Sequence, residues 1–173
     1  MNSKKLYLAA PLFSEAERNY NVYLRNILSR FYEVYLPQED GLLMVDLVQN
    51  GMDEETAADV VFKNDMDAIE SCDIILIVLD GRTVDEGAAF ELGVAFSKNK
   101  KCIALQTDSR RLLPIGNNPM ISCSAAEVFS SIVELVDWAK ADCIAGKGDR
   151  GNAYCVDFLR IREEKWAAGG ASG

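Results

Sequence analysis

Two rhythms of apolar residues alternate along the chain. Short, nearly unbroken apolar runs occupy residues 5–10 (Lys-Leu-Tyr-Leu-Ala-Ala), 32–36, 73–79 (Asp-Ile-Ile-Leu-Ile-Val-Leu) and 101–106, and Pro11 and Pro37 close the first two. Runs of that length bounded by breakers predict buried strands leading into loops. The run at 73–79 shows no alternation and is rich in β-branched residues, which predicts a central strand covered on both faces. Between these runs the apolar residues return every third or fourth position. Ser14 and Glu17 have capping-box spacing, and Tyr20, Tyr23, Leu24, Ile27, Leu28 and Phe31 carry a helix to about residue 31. Asp53 is a suitable N-cap for a second helix reaching residue 71, with Glu54 and Glu55 favourable in its first turn. A third helix follows the loop 80–85 and runs to about residue 99.

Elsewhere the pattern is less regular. Residues 38–51 mix their signals and predict a loop with a short helical turn. Residues 107–119 are irregular, residues 120–123 predict a short fifth strand, and residues 125–143 a long helix. A link at 146–151, a last helix at 152–166 and a frayed tail from about residue 168 complete the chain. Strand and helix thus alternate about five times. That order predicts a single α/β domain over residues 1–173, with a doubly wound, flavodoxin- or Rossmann-like parallel five-stranded sheet flanked by helices. Ligands of such folds lie beyond the carboxyl ends of the strands.

Composition narrows the chemistry. The chain has 173 residues, 49% of them hydrophobic, which is enough for a full core and argues against global disorder. Its 27 acidic and 18 basic residues give a formal net charge of -9, so a phosphate backbone is repelled and no nucleic-acid partner is expected. The apolar run from Ile74 to Leu79 is far shorter than the roughly 20 residues of a membrane span. No leader-like segment precedes the first strand, and the expectation is a cytoplasmic protein away from membranes. The 5 cysteines are odd in number and lack metal-site spacing, so they are expected to be reduced structural thiols. With 0 histidines, a histidine-based triad is excluded and the commonest zinc ligand is missing.

Three acids stand out against that background. Glu91 is the only charged side chain between Gly87 and Ser97, and its neighbours at helical spacing are Ala88 and Ala95. A carboxylate there is desolvated, and buried glutamates are rare unless paired. Glu91 is therefore either structural, bonded to a nearby amide or hydroxyl, or functional. The small residues Gly87, Ala88, Ala89 and Gly93 leave room beside it. Asp65 lies four residues from both Val61 and Ile69, on the same apolar stripe, and is aimed inward too. Asp85, six residues before Glu91, is a natural cap for the Glu91 helix, yet from the helix entrance it can also face what Glu91 touches.

Inward carboxylates without histidine suit glycosyl transfer, in which one acid attacks the anomeric carbon and another protonates the leaving group. Magnesium binding is a competing use. It ranks second, because the chain has neither a Gly-x-x-x-x-Gly-Lys loop nor a Gly-x-Gly-x-x-Gly turn for the accompanying phosphates. Neither a metal nor a cofactor is expected.

Four segments in order resemble the nucleoside 2-deoxyribosyltransferase family: Lys5-Leu-Tyr-Leu-Ala-Ala-Pro, Asn64-Asp65-Met-Asp-Ala-Ile, Asp85-Glu-Gly-Ala-Ala-Phe-Glu91-Leu-Gly-Val-Ala and Asn117-Asn118-Pro-Met120. The resemblance implies that Glu91 is the nucleophile, that Tyr7 orients it, and that Asp65 and Asp85 handle the base and the sugar. It also implies that Phe13, Gly87, Asn118 and Met120 bind substrate, with Asn118 and Met120 lining a pocket shared within a homo-oligomer. The implied substrates are 2′-deoxynucleosides and free nucleobases. A deoxynucleoside or deoxynucleotide N-glycosidase and a non-catalytic nucleotide-sensing module are the alternatives. The loop Ala9-Ala10-Pro11-Leu12-Phe13 offers neither glycine nor arginine to a phosphate, so the unphosphorylated nucleoside is the expected substrate.

Overall fold

The computed structural model describes residues 3–110 and 117–145. Its contacts divide the chain into two compact units, Met1–Lys140 and Ala141–Gly173. The fold and site below belong to the first. The expected link, last helix and tail beyond residue 145 lie outside the described residues, as do Arg111, Leu112, Leu113 and Ile115 of the irregular stretch.

The elements, in chain order, are β1 (Lys5–Ala9), α1 (Glu15–Leu28), β2 (Glu33–Tyr35), α2 (Pro37–Asp40), α3 (Met44–Gln49), α4 (Glu54–Ser71), β3 (Ile74–Val78), α5 (Glu86–Ser97), β4 (Lys101–Leu105), α6 (Pro119–Ser122), β5 (Glu127–Phe129) and α7 (Ile132–Ala145). All strand pairs are parallel, and the sheet order is β2-β1-β3-β4-β5. This is the flavodoxin-like winding, in which the order reverses between β1 and β3 and opens a crevice at their carboxyl ends. Every residue of β3 is buried, as its unbroken apolar run requires. In register, Tyr7 lies between Tyr35 of β2 and Ile75 of β3. One core cluster joins Tyr7, Ile75 and Ile77 of the sheet to Ile69 of α4 and to Ala88, Leu92 and Ala95 of α5.

The capping signals act as expected. Ser14 and Glu17 form a reciprocal capping box, Asp53 accepts from the Thr56 amide, and Asp85 accepts from the Ala88 amide. Among the described residues no helix is long and apolar enough to cross a membrane.

Two expectations are corrected. Residues 120–122 belong to α6 and Cys123 caps it, because Asn118 accepts from the Met120 amide and Pro119 occupies the first turn, a combination that starts a helix. The fifth strand is instead β5, whose Phe129 carbonyl accepts from the Gln106 amide at 2.8 Å. The long helix accordingly starts at Ile132 rather than at residue 125. Ser131 Oγ accepts from the Glu134 amide, and the Glu134 carboxylate returns to Ser130. That Ser-x-x-Glu spacing marks the helix start in the sequence as well.

Candidate active site

Glu91 sits midway along α5, on the turn between buried Ala88 and buried Ala95. That face turns its carboxylate toward the sheet, where the fully buried Tyr7 meets it. The Tyr7 hydroxyl donates to Glu91 Oε1 at 2.6 Å, across 84 residues of sequence. Burial pushes the Glu91 carboxyl up to about 7, the negative charges of Asp65 and Asp85 push the same way, and the Tyr7 hydrogen bond opposes them. Burial and the adjacent carboxylate lift the Tyr7 phenol well above its ordinary range, so it remains a donor.

Asp65 comes to the same place from α4. A cavity of about 370 Å³ runs between α4 and α5 and is lined by both Glu91 and Asp65. Its other walls include Val61, Phe62 and Ile69 of α4, Gly87 and Phe90 of α5, and Met44 of α3. The Phe62 and Phe90 rings meet at 6.1 Å between centroids, and both are more than half exposed. Asp65 Oδ1 is buried without a hydrogen-bond partner. Burial raises the Asp65 carboxyl above its ordinary value, with the Asn64 amide opposing. Two desolvated acids thus share one mostly apolar cavity, one bound to a phenol and the other with an unsatisfied oxygen. Such an arrangement favours one neutral and one ionised carboxyl over two charged ones.

Asp85 stands at the entrance of α5, with Oδ1 2.8 Å from the Ala88 amide, so the capping role is real. Its charge also reaches Glu91. Gly87 lines the cavity. Phe13, Asn118 and Met120 do not line it: Phe13 is 77% exposed, in a loop whose Leu12 and Phe13 carbonyls accept from Arg18, and Met120 is 80% exposed on α6. Among the described residues no group of three or more His, Cys, Asp or Glu could hold a metal ion.

Behind these residues lies a pair that the motifs do not single out. The Tyr35 ring stacks on Tyr7 at 5.4 Å between centroids and 19° between planes, and its hydroxyl accepts from Asn64 Nδ2 at 2.7 Å. The position of Tyr35 at the carboxyl end of the strand beside β1 is the signal that could have marked it.

Fold and site together define a doubly wound parallel α/β domain built around a tyrosine-held glutamate and a second half-buried acid. A family model for nucleoside 2-deoxyribosyltransferases matches residues 6–157, and the chain belongs to that family. Membership makes it an enzyme that handles the glycosyl part of nucleosides. No curated protein matches the chain. Among solved structures, it is similar to a 2-deoxyribosyltransferase from Bacillus psychrosaccharolyticus, with 26% identity over 80% of this chain and 95% of that one, at a TM-score of 0.66. A conserved protein from Enterococcus faecalis shares 26% identity over 80% and 98% of the two chains, at a TM-score of 0.63. A CMP N-glycosidase from Clostridium botulinum, at 18% identity over 80% and 98% and a TM-score of 0.50, shares the fold alone.

Proposed function

We propose that the protein is a nucleoside 2-deoxyribosyltransferase that moves 2-deoxyribose between nucleobases with retention. The observation that carries this reading is the half-buried, Tyr7-bound Glu91 sharing a cavity with Asp65 and its unpartnered oxygen. A Glu91 oxygen forms a bond to C1′ while the C1′–N bond breaks, its electron pair goes to the departing base, and Asp65 or Asp85 supplies the proton. A nitrogen of the incoming base then attacks C1′, releases the carboxylate and returns a proton. The fixed anion beside an oxocarbenium-like carbon stabilises the transition state in a dry site. Glu91 needs no cofactor for this chemistry.

The substrate in this reading is unphosphorylated. The N-terminus of α1, the natural anion site in the β1 loop, is closed by its own capping box: the Ser14 amide donates to Glu17 Oε2 at 2.7 Å, and the Glu17 amide to Ser14 Oγ at 3.2 Å. The Arg110 guanidinium is paired with Asp108. Two further negative charges would add to those of Glu91 and Asp65, and neither the capped α1 N-terminus nor the paired Arg110 is left to offset them. In this reading Asn118 and the exposed Met120 serve a second copy, in a homo-oligomer with shared sites.

Incubation with 2′-deoxyinosine and free adenine tests the reaction. 2′-Deoxyadenosine is the expected product; hypoxanthine with free deoxyribose would show a hydrolase, and no turnover a binding module. A preference for the 5′-monophosphate of deoxyguanosine over deoxyguanosine itself would overturn the substrate class. Full activity as a monomer in sedimentation would remove Asn118 and Met120 from a shared site.

A further inference from the structure

Neither Tyr35 nor Asn64 lines the cavity that holds Glu91 and Asp65, yet Tyr35 touches the supports of both. Its ring covers one side of the Tyr7 ring, in the register position next to it on the sheet. Its hydroxyl takes an Nδ2 proton of Asn64, the residue before Asp65 on α4. That same amide is the polar group that draws the Asp65 carboxyl below where burial alone would put it. The turn at Gly41 also approaches this hydroxyl. A Cβ built on Gly41 would stand 3.1 Å from it, and 2.5 Å from the Pro37 carbonyl oxygen, so the turn after α2 closes on Tyr35 only because residue 41 is glycine.

We propose that Tyr35 is a positioning residue for both carboxylates, its ring fixing the plane of Tyr7 behind Glu91 and its hydroxyl fixing the Asn64 amide beside Asp65. This rests on the roles assigned above to Glu91 and Asp65. A 2.6 Å hydrogen bond tolerates little rotation of its donor, and the stacked ring limits that rotation. An amide with one proton committed to Tyr35 can present only its other proton and its oxygen to the carboxyl next to it. The two halves of the role separate by mutation: Tyr35→Phe keeps the ring and loses the hydroxyl, whereas Tyr35→Leu loses both.

The test compares two substrates in steady state. 2′-Deoxyinosine has a base that leaves with the help of an acid; 7-methyl-2′-deoxyguanosine has a base that leaves neutral without one. Tyr35→Phe and Asn64→Ala should each lower kcat on 2′-deoxyinosine by about tenfold, leave KM within about twofold, and change 7-methyl-2′-deoxyguanosine by less than about twofold. The double variant should be no slower than either single one, since both remove the same contact. Tyr35→Leu should be slow on both substrates because Glu91 loses its alignment; should it fail to fold, the Phe and Ala variants decide alone. Equal losses on the two substrates, additive losses in the double variant, or no loss would overturn the proposal. A wild-type protein that cleaves neither substrate, or a Glu91→Gln variant that still does, would overturn the reading of the site itself and this proposal with it.

Discussion

The Tyr7 hydroxyl donates to Glu91 Oε1 at 2.6 Å from within the sheet, and this bond lowers a carboxyl which burial and two neighbouring acids raise to about 7. An attacking carboxylate must be ionised, so kcat/KM should climb as pH rises through about 7. In Tyr7→Phe the stabilising donor is lost and the Glu91 carboxyl rises further. On 7-methyl-2′-deoxyguanosine, whose base leaves without an acid, the acid limb should therefore shift to higher pH, with activity lost at neutral pH and partly regained at alkaline pH. Profiles of both proteins check this; a limb that does not move would exclude the assigned role of Tyr7.

Glu91→Gln should abolish turnover and at the same time stabilise the fold. The folded-state value of about 7 lies above the ordinary 4.5, so between them the folded state holds more protons than the unfolded one. Stability contributed by the neutral form is present below about 4.5 and is lost as pH rises through about 7. Glutamine keeps an acceptor for Tyr7 and cannot ionise. The variant should gain on the order of 2 kcal/mol over wild type at pH above 7, and close to nothing at low pH. Thermal melts at both ends of that range measure the difference.

Asp65→Asn removes the proton from an acid whose value burial has already raised. Loss of an acid slows substrates that depend on it by roughly 10² or more and leaves activated ones close to wild type. 2′-Deoxyinosine and 7-methyl-2′-deoxyguanosine supply the two cases. Equal losses on both would make Asp65 a structural partner.

Asp85 combines a cap and a charge, and two substitutions separate them. Asp85→Ser keeps an oxygen for the Ala88 amide, while Asp85→Ala leaves that donor bare and should cost about 1 kcal/mol. Both lose the carboxylate. The expected result is that Ser melts like wild type yet turns over more slowly; a Ser variant with full activity would reduce Asp85 to a cap.

The first four strands and the two inward acids were legible in the sequence because each follows from local spacing, and the alternation of strands with helices implied the parallel sheet. The run at 73–79 is long enough to mark a strand without partners, and the apolar stripes on either side of Asp65 and Glu91 show which way each points. β5 was not legible. Its three residues, Glu127–Phe129, carry no pattern of their own, and they are held by bonds to β4 that lie more than 20 residues away in the chain. The Tyr7–Glu91 bond was reached only through family likeness, since nothing near either residue in sequence indicates the other. Tyr35 was missed for the same reason: its ring, its hydroxyl and the glycine that admits it belong to three separate contacts that meet only in the folded chain.

Glu91 and Asp65 both project from the middle of helices, several residues from the nearest loop, whereas Phe13, Asn118 and the residues 80–85 stand in or beside the connections. In the proposed reaction the Glu91 and Asp65 carboxyls therefore stand apart in the chain from the connections, whereas Asp85 stands at the border between the two. A longer or shorter connection at either place changes what is admitted without shifting the attacking oxygen. If the proposed transfer holds, swapping these loops should alter acceptor preference while Glu91 and Asp65 stay where their helices hold them.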